Sequence, residues 1–414
     1  MSGHPVSRRH LVGGGLAGLA GLGVAGAAGV AAGRAQDRPI TPDGTSPGSY
    51  GRPGLDEVVA FDGAHQAGVA TAQQRSAAFV GLDLRADVGR AELVKMMTVV
   101  TGDARRLTEG LPVLGAADSG LAAVPASLTV TAGFGQGLLR AAGLQQQAPP
   151  WLRDLPAFGV DRLEEHWSGA DLLLQVCADD DTTVTNAVRS LTRGIRGFAD
   201  VRWVQRGFAR ATSLEAGESV GHRNLFGQVD GTVNPRQDTD ELDRLVWVDD
   251  GPDWLRGGTG MVLRRIWMDL DDWDRLGRVE QEQAVGRGLA DGTPLVAAAD
   301  DPDEVDLEAR EPSGLQSVPP WSHVRRARGD GPPGPQFLRR SYNYDDGPGE
   351  SGRQDAGSLF VVFCADVDAQ FVPVQRRLDE LDLLNDWTTP VGSVVVAVPP
   401  GCGPDGFLGQ ELLA

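Results

Sequence analysis

A chain of 414 residues, at about 100 to 200 residues per domain, has room for two or three domains and is too long to be a small disulfide-stapled scaffold. Its 38 basic against 57 acidic side chains give a formal charge of −19, a surface that repels phosphate backbones and anionic lipid, so no nucleic-acid partner is expected. Among the basic residues only Lys95 is a lysine, and no Gly-rich loop precedes it, which removes Schiff-base and phosphate-loop chemistry.

At the amino terminus, Ser7-Arg8-Arg9-His10-Leu11-Val12 precedes Gly13–Gly33, twenty-one uncharged residues of which nine are glycine. The pattern resembles a twin-arginine export signal, and so much glycine argues against a stable membrane anchor. Residues 1–36 are therefore expected to be a signal, cut within Ala32–Gln36 and read by the twin-arginine export machinery. The folded protein would then sit beyond the cytoplasmic membrane, in the periplasm, the cell envelope or the medium. The remainder carries 35 basic and 57 acidic groups, a balance of −22. Residues 37–54, rich in Pro, Gly, Ser and Asp without hydrophobic periodicity, form a linker. The three cysteines Cys177, Cys364 and Cys402 are too few for a disulfide framework.

An internal duplication follows. Gln175-Val176-Cys177-Ala178-Asp179 reappears 187 residues on as Val362-Phe363-Cys364-Ala365-Asp366, each closing an apolar strand before a helical segment, Thr183–Gly197 and Ala369–Leu384. Leu82-Asp83-Leu84 and Met268-Asp269-Leu270, 186 residues apart, end the strands Ala77–Leu84 and Met261–Leu270 and also lead into helical segments, the first of them around Ala91–Val100. Further strands are expected near Ser127–Thr131, Val201–Phe208, Gln336–Tyr344 and Ser393–Val398. The order strand, helix, strand, then strand, helix, strand in each half predicts an α+β fold of duplicated ferredoxin-like domains, each with an antiparallel sheet packed by helices. The domains would span residues 55–225 and 226–414. Cys177 and Cys364, at corresponding strand positions, are expected to be small buried hydrophobes. The halves differ between helix and second strand, where the first has Gly110–Ala126 and the second the longer Gly288–Pro335, and long loops of this kind carry function or disorder.

His4 and His10 belong to the signal, and His65, His166 and His222 lie in loop-like sequence without zinc-ligand spacing, so each is expected to be structural or solvated. No Gly-x-Ser-x-Gly elbow and no Cys-x-x-Cys pair is present, leaving serine-hydrolase and thiol-redox readings unsupported. Three segments remain. Gly227-Gln228-Val229-Asp230-Gly231-Thr232-Val233-Asn234-Pro235 sets one carboxylate among glycines, where backbone can approach a flat ligand, although a plain Asp-Gly turn would read the same. Trp321-Ser322-His323-Val324-Arg325-Arg326 sets a histidine among cations in the longer loop, where a solvated side chain is the alternative to a ligand. Phe337-Leu338-Arg339-Arg340-Ser341-Tyr342-Asn343-Tyr344 aims successive arginines to opposite faces of a strand, one toward a cavity and the other toward solvent, or else guards a sheet edge.

In order and spacing these three segments resemble the dye-decolourising (DyP-type) haem peroxidases, and the resemblance runs from about Phe61 to the carboxyl terminus. It extends to Gly63–Gly68, Leu128–Gly135, Gly169–Asp179, Asn224–Pro235, Trp254–Gly258 and Gly357–Phe363. It implies a haem b cofactor, one per chain, with His323 as the proximal ligand to iron, Asp230 as the distal acid/base and Arg339 as the distal cation. It also implies that Gly231, Thr232 and Val233 line the cofactor and that a cation after the histidine meets a haem propionate. Where relatives commonly read Asn-Pro-Arg this chain has Arg328-Gly329-Asp330, so Arg328 is assigned that contact, with Arg325 and Arg326 as alternatives.

The activity implied is hydrogen-peroxide-driven oxidation of dyes, phenols or other organic donors in one-electron steps from a ferryl iron, Asp230 moving the proton and Arg339 steadying the departing oxygen. An aspartate as distal base, with a reference pKa near 3.9, predicts fastest donor oxidation at acidic pH. Two other readings stay open, a deferrochelatase-like recovery of iron from haem and a haem carrier without turnover. Tyrosines and tryptophans could pass oxidising equivalents to donors too large to enter, though core packing accounts for most of them. A homo-oligomer is compatible with the sequence.

Overall fold

The computed structural model describes residues 55–116, 120–209, 222–230, 233–299, 303–329, 336–349 and 352–414. The expected signal and linker, with Gly231 and Thr232, lie outside the described residues. In the first half β1 (Ser76–Leu84), α1 (Arg90–Thr108), β2 (Thr129–Phe134), α2 (Gln136–Ala141), β3 (Leu172–Ala178), α3 (Asp181–Ile195) and β4 (Ala199–Phe208) follow one another. The second half runs α4 (Asp240–Val246), β5 (Thr259–Met268), α5 (Leu270–Trp273), α6 (Arg278–Val285), α7 (His323–Arg328), β6 (Leu338–Arg339), β7 (Tyr342–Pro348), β8 (Gln354–Cys364), α8 (Val372–Leu381), β9 (Thr388–Val398) and α9 (Gln410–Leu413).

The elements follow from local sequence. Leu93, Met96, Met97, Val100, Ala104 and Leu107 recur at helical spacing on α1 and are all buried, each large side chain contributing about 1.5–3 kcal/mol by leaving water. The Asp180 carboxylate accepts from Thr183 N at 2.8 Å and starts α3, as an N-cap should. β3 is buried along its whole length and apolar but for Gln175 because both of its faces are covered, which removes the alternation of a half-exposed strand.

All pairings between these strands are antiparallel. Neighbours run β2-β3-β1-β4 in the first half and β7-β8-β5-β9 in the second, so first, second, third and fourth strands occupy the same places in each. The two four-stranded sets meet at seams of one residue pair, Phe134 with Ala397 and Phe208 with Asn343, closing a ring of strands. Its inside is packed by Phe79, Leu173, Cys177, Met261, Tyr342 and Phe363 among others; helices cover the outside. Cys177 and Cys364 are both buried, and burial raises both thiols above the ordinary range.

Three expected boundaries move. β5 stops at Met268, because the Asp269 carboxylate accepts from Asp272 N at 3.2 Å and opens α5. The helix expected over Ala369–Leu384 is a π-helical turn (Val367–Phe371) followed by α8, which ends where Asp382 adopts extended backbone. The strand expected over Gln336–Tyr344 is broken between β6 and β7, yet Arg340 N donates to Val361 O at 3.0 Å and the register against β8 is unchanged across the break. Arg339 and Arg340 therefore do point to opposite faces, but Arg340 does not reach solvent. It is buried, and its guanidinium donates to Thr71 O at 2.6 Å and Ala72 O at 3.0 Å, and to the Gln74 amide oxygen. Burial on the inner face of the ring takes this cation away from the surface, and carbonyl oxygens satisfy it there.

Among the described residues no helix is long and apolar enough to cross a membrane.

Candidate active site

A cavity of about 280 Å³ lies between the outer face of β5, β8 and β9 and the helices α7 and α8. Ile266, Met268, Phe360, Val374 and Leu378 give it apolar walls, Val160 enters from the first half, and Asp230, Val233, His323, Arg328 and Arg339 all line it. Largely apolar walls with a few convergent charged groups mark a ligand site.

His323 is the first residue of α7, within the long segment Gly288–Pro335 by which the second half differs from the first. The helix is short and is held from both ends. Ser322 donates from N and Oγ to Pro319 O at 3.1 and 2.9 Å, fixing the turn before it. At the other end Gly329 has φ +62° and ψ −151°, backbone that glycine alone enters readily. The Arg377 guanidinium packs on Gly329 and donates to Arg326 O at 3.1 Å and Ala327 O at 2.7 Å, satisfying carbonyls that a helix end leaves open. α8, which carries Arg377, is followed immediately by Asp382, whose Oδ2 lies 2.6 Å from His323 Nδ1. The carboxylate can only accept, so Nδ1 carries the hydrogen and Nε2 keeps its lone pair for another partner. Burial acts most strongly on this ring and disfavours its charged form; the Asp382 carboxylate, by charge and hydrogen bond, outweighs burial and holds the imidazole above the usual histidine range.

Asp230 is delivered by a tight turn. The Asn224 amide oxygen accepts from Phe226 N and Gln228 N, both at 3.1 Å, Gly227 takes φ +81°, and Arg223 and Val229 pair across the turn. The turn thus lies at Asn224–Gly227, and the carboxylate follows it. Asp230 N donates to His222 O at 2.7 Å. His222 is partly buried beside it rather than solvated, its ring pushed below the usual range by burial with Asp230 opposing. Arg339 comes from β6. Asn234 clamps its backbone, accepting from Arg339 N at 3.0 Å and donating to Arg339 O at 2.8 Å. Arg339 Nη1 stands 3.6 Å from Asp230 Oδ1, longer than the about 2.7–2.9 Å of a charge-assisted hydrogen bond, so the charges attract without being locked together.

Of the three cations after His323, Arg328 alone is in the cavity wall. It pairs there with Glu304 at 2.5 Å, whereas Arg325 is spent on the carbonyls of Val318 and Leu307, and Arg326 on Arg377 O and Glu380.

Models of the Dyp-type peroxidase family match this chain twice, the N-terminal one over residues 66–209 and the C-terminal one over residues 221–403. The chain belongs to the Dyp-type peroxidase family. A dye-decolorizing peroxidase of Thermobifida fusca is 38% identical over 335 residues, 79% of this chain and 77% of that protein. A deferrochelatase of Yersinia pseudotuberculosis is 32% identical over 376 residues, 85% of this chain and 84% of the other. The crystal structure of a DyP-type peroxidase from Cellulomonas bogoriensis superposes with a TM-score of 0.83 at 50% identity, covering 87% of this chain and 99% of that one. The peroxidase activity expected from the sequence is thus borne out at the level of the family.

Three groups of this Dyp-type peroxidase site were not singled out from the sequence. Asp382 gave no local signal, because it ends an ordinary amphipathic helix 59 residues from its partner. Asn234 lay inside the Asp230 segment with no role assigned. Arg287 is buried in the cavity wall and donates to Gly292 O at 2.9 Å and Asp303 O at 2.8 Å; burial pulls its pKa below the usual arginine value, with Glu304 opposing. Its setting, Gly286-Arg287-Gly288, repeats the feature that drew attention to Asp230, a charge beside glycine.

Proposed function

We propose that this chain is an exported haem peroxidase that binds one haem b per chain in the cavity described above and uses hydrogen peroxide to oxidise dyes, phenols or other organic donors. The observation that carries the reading is that His323, Asp230 and Arg339, far apart in sequence, line one apolar-walled cavity. The residues suit an iron porphyrin. Apolar walls accept a flat hydrophobic disc, and Nε2 of His323 is left to ligate iron while a buried carboxylate orients the ring. Arg328, paired with Glu304 in the same wall, is the cation assigned to a propionate, and Arg287 lines the cavity as well. Val233 lines the same cavity; Gly231 and Thr232 are assigned to the cofactor by the family resemblance.

Haem, when bound, supplies the redox-active iron at which peroxide is reduced. The chain supplies the rest. Asp230 takes a proton from one oxygen of the entering peroxide and returns it to the other, so that water can leave. Arg339, permanently charged, steadies the negative charge that grows on the departing oxygen. Asn234 keeps that guanidinium in place, and Asp382 keeps His323 in the tautomer that can ligate. Asp382→Asn should therefore weaken haem retention or turnover by about 10- to 100-fold, read by haem transfer to an acceptor apoprotein; an unchanged transfer rate counts against the role of Asp382.

The two halves are read as copies of one ferredoxin-like unit, residues 55–225 and 226–414, supported by their matching strand order. Residues 1–36 are read as the twin-arginine signal that sends the folded protein out of the cytoplasm. Similarity to proteins called deferrochelatase keeps one second reading, in which iron is released from haem and the tetrapyrrole left intact. The deciding experiment incubates purified protein with haem, with and without peroxide and a dye, and analyses iron and tetrapyrrole alongside dye loss. Dye oxidation without free protoporphyrin is the expected result; intact protoporphyrin with little dye oxidation reverses the order of the two readings.

A further inference from the structure

We propose that His222 is the proton relay that recharges Asp230 from outside the cavity wall, an inference that rests on the peroxidase reading above. The local backbone brings the two residues together. Arg223 and Val229 pair across the Asn224–Gly227 turn. His222 therefore stands opposite Asp230, whose N donates to His222 O at 2.7 Å, and Asn224 stands opposite Gln228, Asn224 N donating to Gln228 O at 3.1 Å. Directly opposite residues share a face, with Cβ atoms about 4.5–5.5 Å apart. From that face Asn224, Gln228 and Asp230 line the cavity, whereas His222 is not in its wall. It stands beside the carboxylate and acts through it rather than on the substrate.

Two buried polar atoms of this turn have no hydrogen-bond partner among the described residues, Gln228 Nε2 and His222 Nδ1. An orphan of this kind costs about 1–3 kcal/mol unless a water or a ligand meets it. Gln228 lines the cavity, where whatever fills that space can meet its amide. His222 lies outside the wall, so its Nδ1 is left for Asp230 or for a water between them. The residue as a whole is only half-buried, so it reaches from a sealed nitrogen to accessible surface. Burial is the strongest influence on the ring and disfavours its charged form, and Asp230 is the charged group that acts on it, in the opposite sense. A ring that is neutral at rest and coupled to one carboxylate can take up a proton and hand it on.

The proton count gives the relay its task. Peroxide accepts two electrons and two protons and becomes two waters. In the first step Asp230 moves a proton from one oxygen to the other and ends as it began, so nothing is drawn from outside. The second oxygen leaves as water only when two donor electrons and two further protons have reached it, and apolar walls hold no protons to give. Solvent protonates the His222 ring, Nδ1 passes its proton to the Asp230 carboxylate, and Asp230 delivers it. The neutral ring left after each pass regains its Nδ1 proton by exchange with water, and two passes per peroxide close the balance.

The test uses the haem-loaded protein and ferrocyanide, a donor that gives an electron and no proton. In stopped flow, His222→Gln should leave the peroxide step within about twofold and slow the ferrocyanide-driven return by at least about tenfold. In His222→Ala, added imidazole should restore most of that second rate while leaving the unmodified protein unchanged. A further readout needs no haem. In the full chain without haem, the nitrogen-15 resonances of the His222 ring should titrate below the ordinary histidine midpoint, and lower still in Asp230→Asn, because loss of the carboxylate charge disfavours the charged ring. If His222→Gln leaves the ferrocyanide step within about twofold, if imidazole restores nothing, or if Asp230→Asn does not move the midpoint, the relay is wrong while the peroxidase reading stands. A peroxide step that falls as far as the ferrocyanide step makes His222 a support for the Asp230 turn and likewise overturns the relay. Failure of the unmodified protein to react with peroxide overturns both.

Discussion

Replacing His323 by alanine is expected to leave a folded protein that no longer holds haem through an iron ligand and whose peroxide-driven dye oxidation falls by orders of magnitude. The ring is surrounded by protein except where about one-third of its surface, at the first position of α7, opens to the cavity, so little core is lost and circular dichroism should be nearly unchanged. What is lost is the partner of Asp382. That carboxylate stays buried and still accepts from Leu384 N at 3.1 Å, but the oxygen that met Nδ1 is left without it, a cost of about 1–3 kcal/mol for an unsatisfied buried polar group. The double variant His323→Ala with Asp382→Asn should recover part of that loss, since removing the charge removes the need for its partner. Thermal unfolding of the two single variants and the double one gives the coupling, and the absorption spectrum of each after reconstitution with haem gives the ligation. A His323→Ala protein that kept the wild-type spectrum would remove the basis of the site.

How far the sequence leads depends on whether an interaction is local or assembled. The strands and α1 and α3 were legible because apolar periodicity and carboxylate caps such as Asp180 act within a few residues. Boundaries failed where a side chain overrode the pattern, as when Asp269 stopped β5 and Asp382 ended α8. Arg340 shows a second kind of limit. Period two correctly turned it away from Arg339, but whether the far face meets water or another sheet depends on the closure of the ring, which no single strand encodes. The site was legible as far as its chemistry sits in motifs, at Asp230, His323 and Arg339. Asp382, Arg287 and the clamping role of Asn234 came only with the fold, because each acts across a distance in sequence, Asn234 on Arg339 over 105 residues.

The distal pair should separate into two effects that the proximal ligand cannot produce. Asp230→Asn keeps the size of the side chain and its place after the Asn224 turn, but it removes the group that can carry a proton. Haem retention should persist, while the peroxide step slows by about 10²–10⁴-fold, the usual worth of a positioned acid/base. Added small carboxylic acids should restore part of the rate. Arg339→Leu should also slow the peroxide step, by about 10²–10³-fold, the loss typical when one preorganised charge-stabilising donor is removed. No added acid should rescue it, because what it lacks is fixed positive charge rather than a proton carrier. Arg339→Lys should be a poor substitute, since the Nε that lies 3.5 Å from the Asn234 amide oxygen and the fork that faces Asp230 are both absent from an ammonium. Stopped-flow mixing with peroxide isolates this step from donor oxidation. If both substitutions leave its rate within about twofold of wild type, the carboxylate and guanidinium only shape the cavity, and proton transfer must be assigned elsewhere, with His222, on whose carbonyl Asp230 N rests, the next residue to examine.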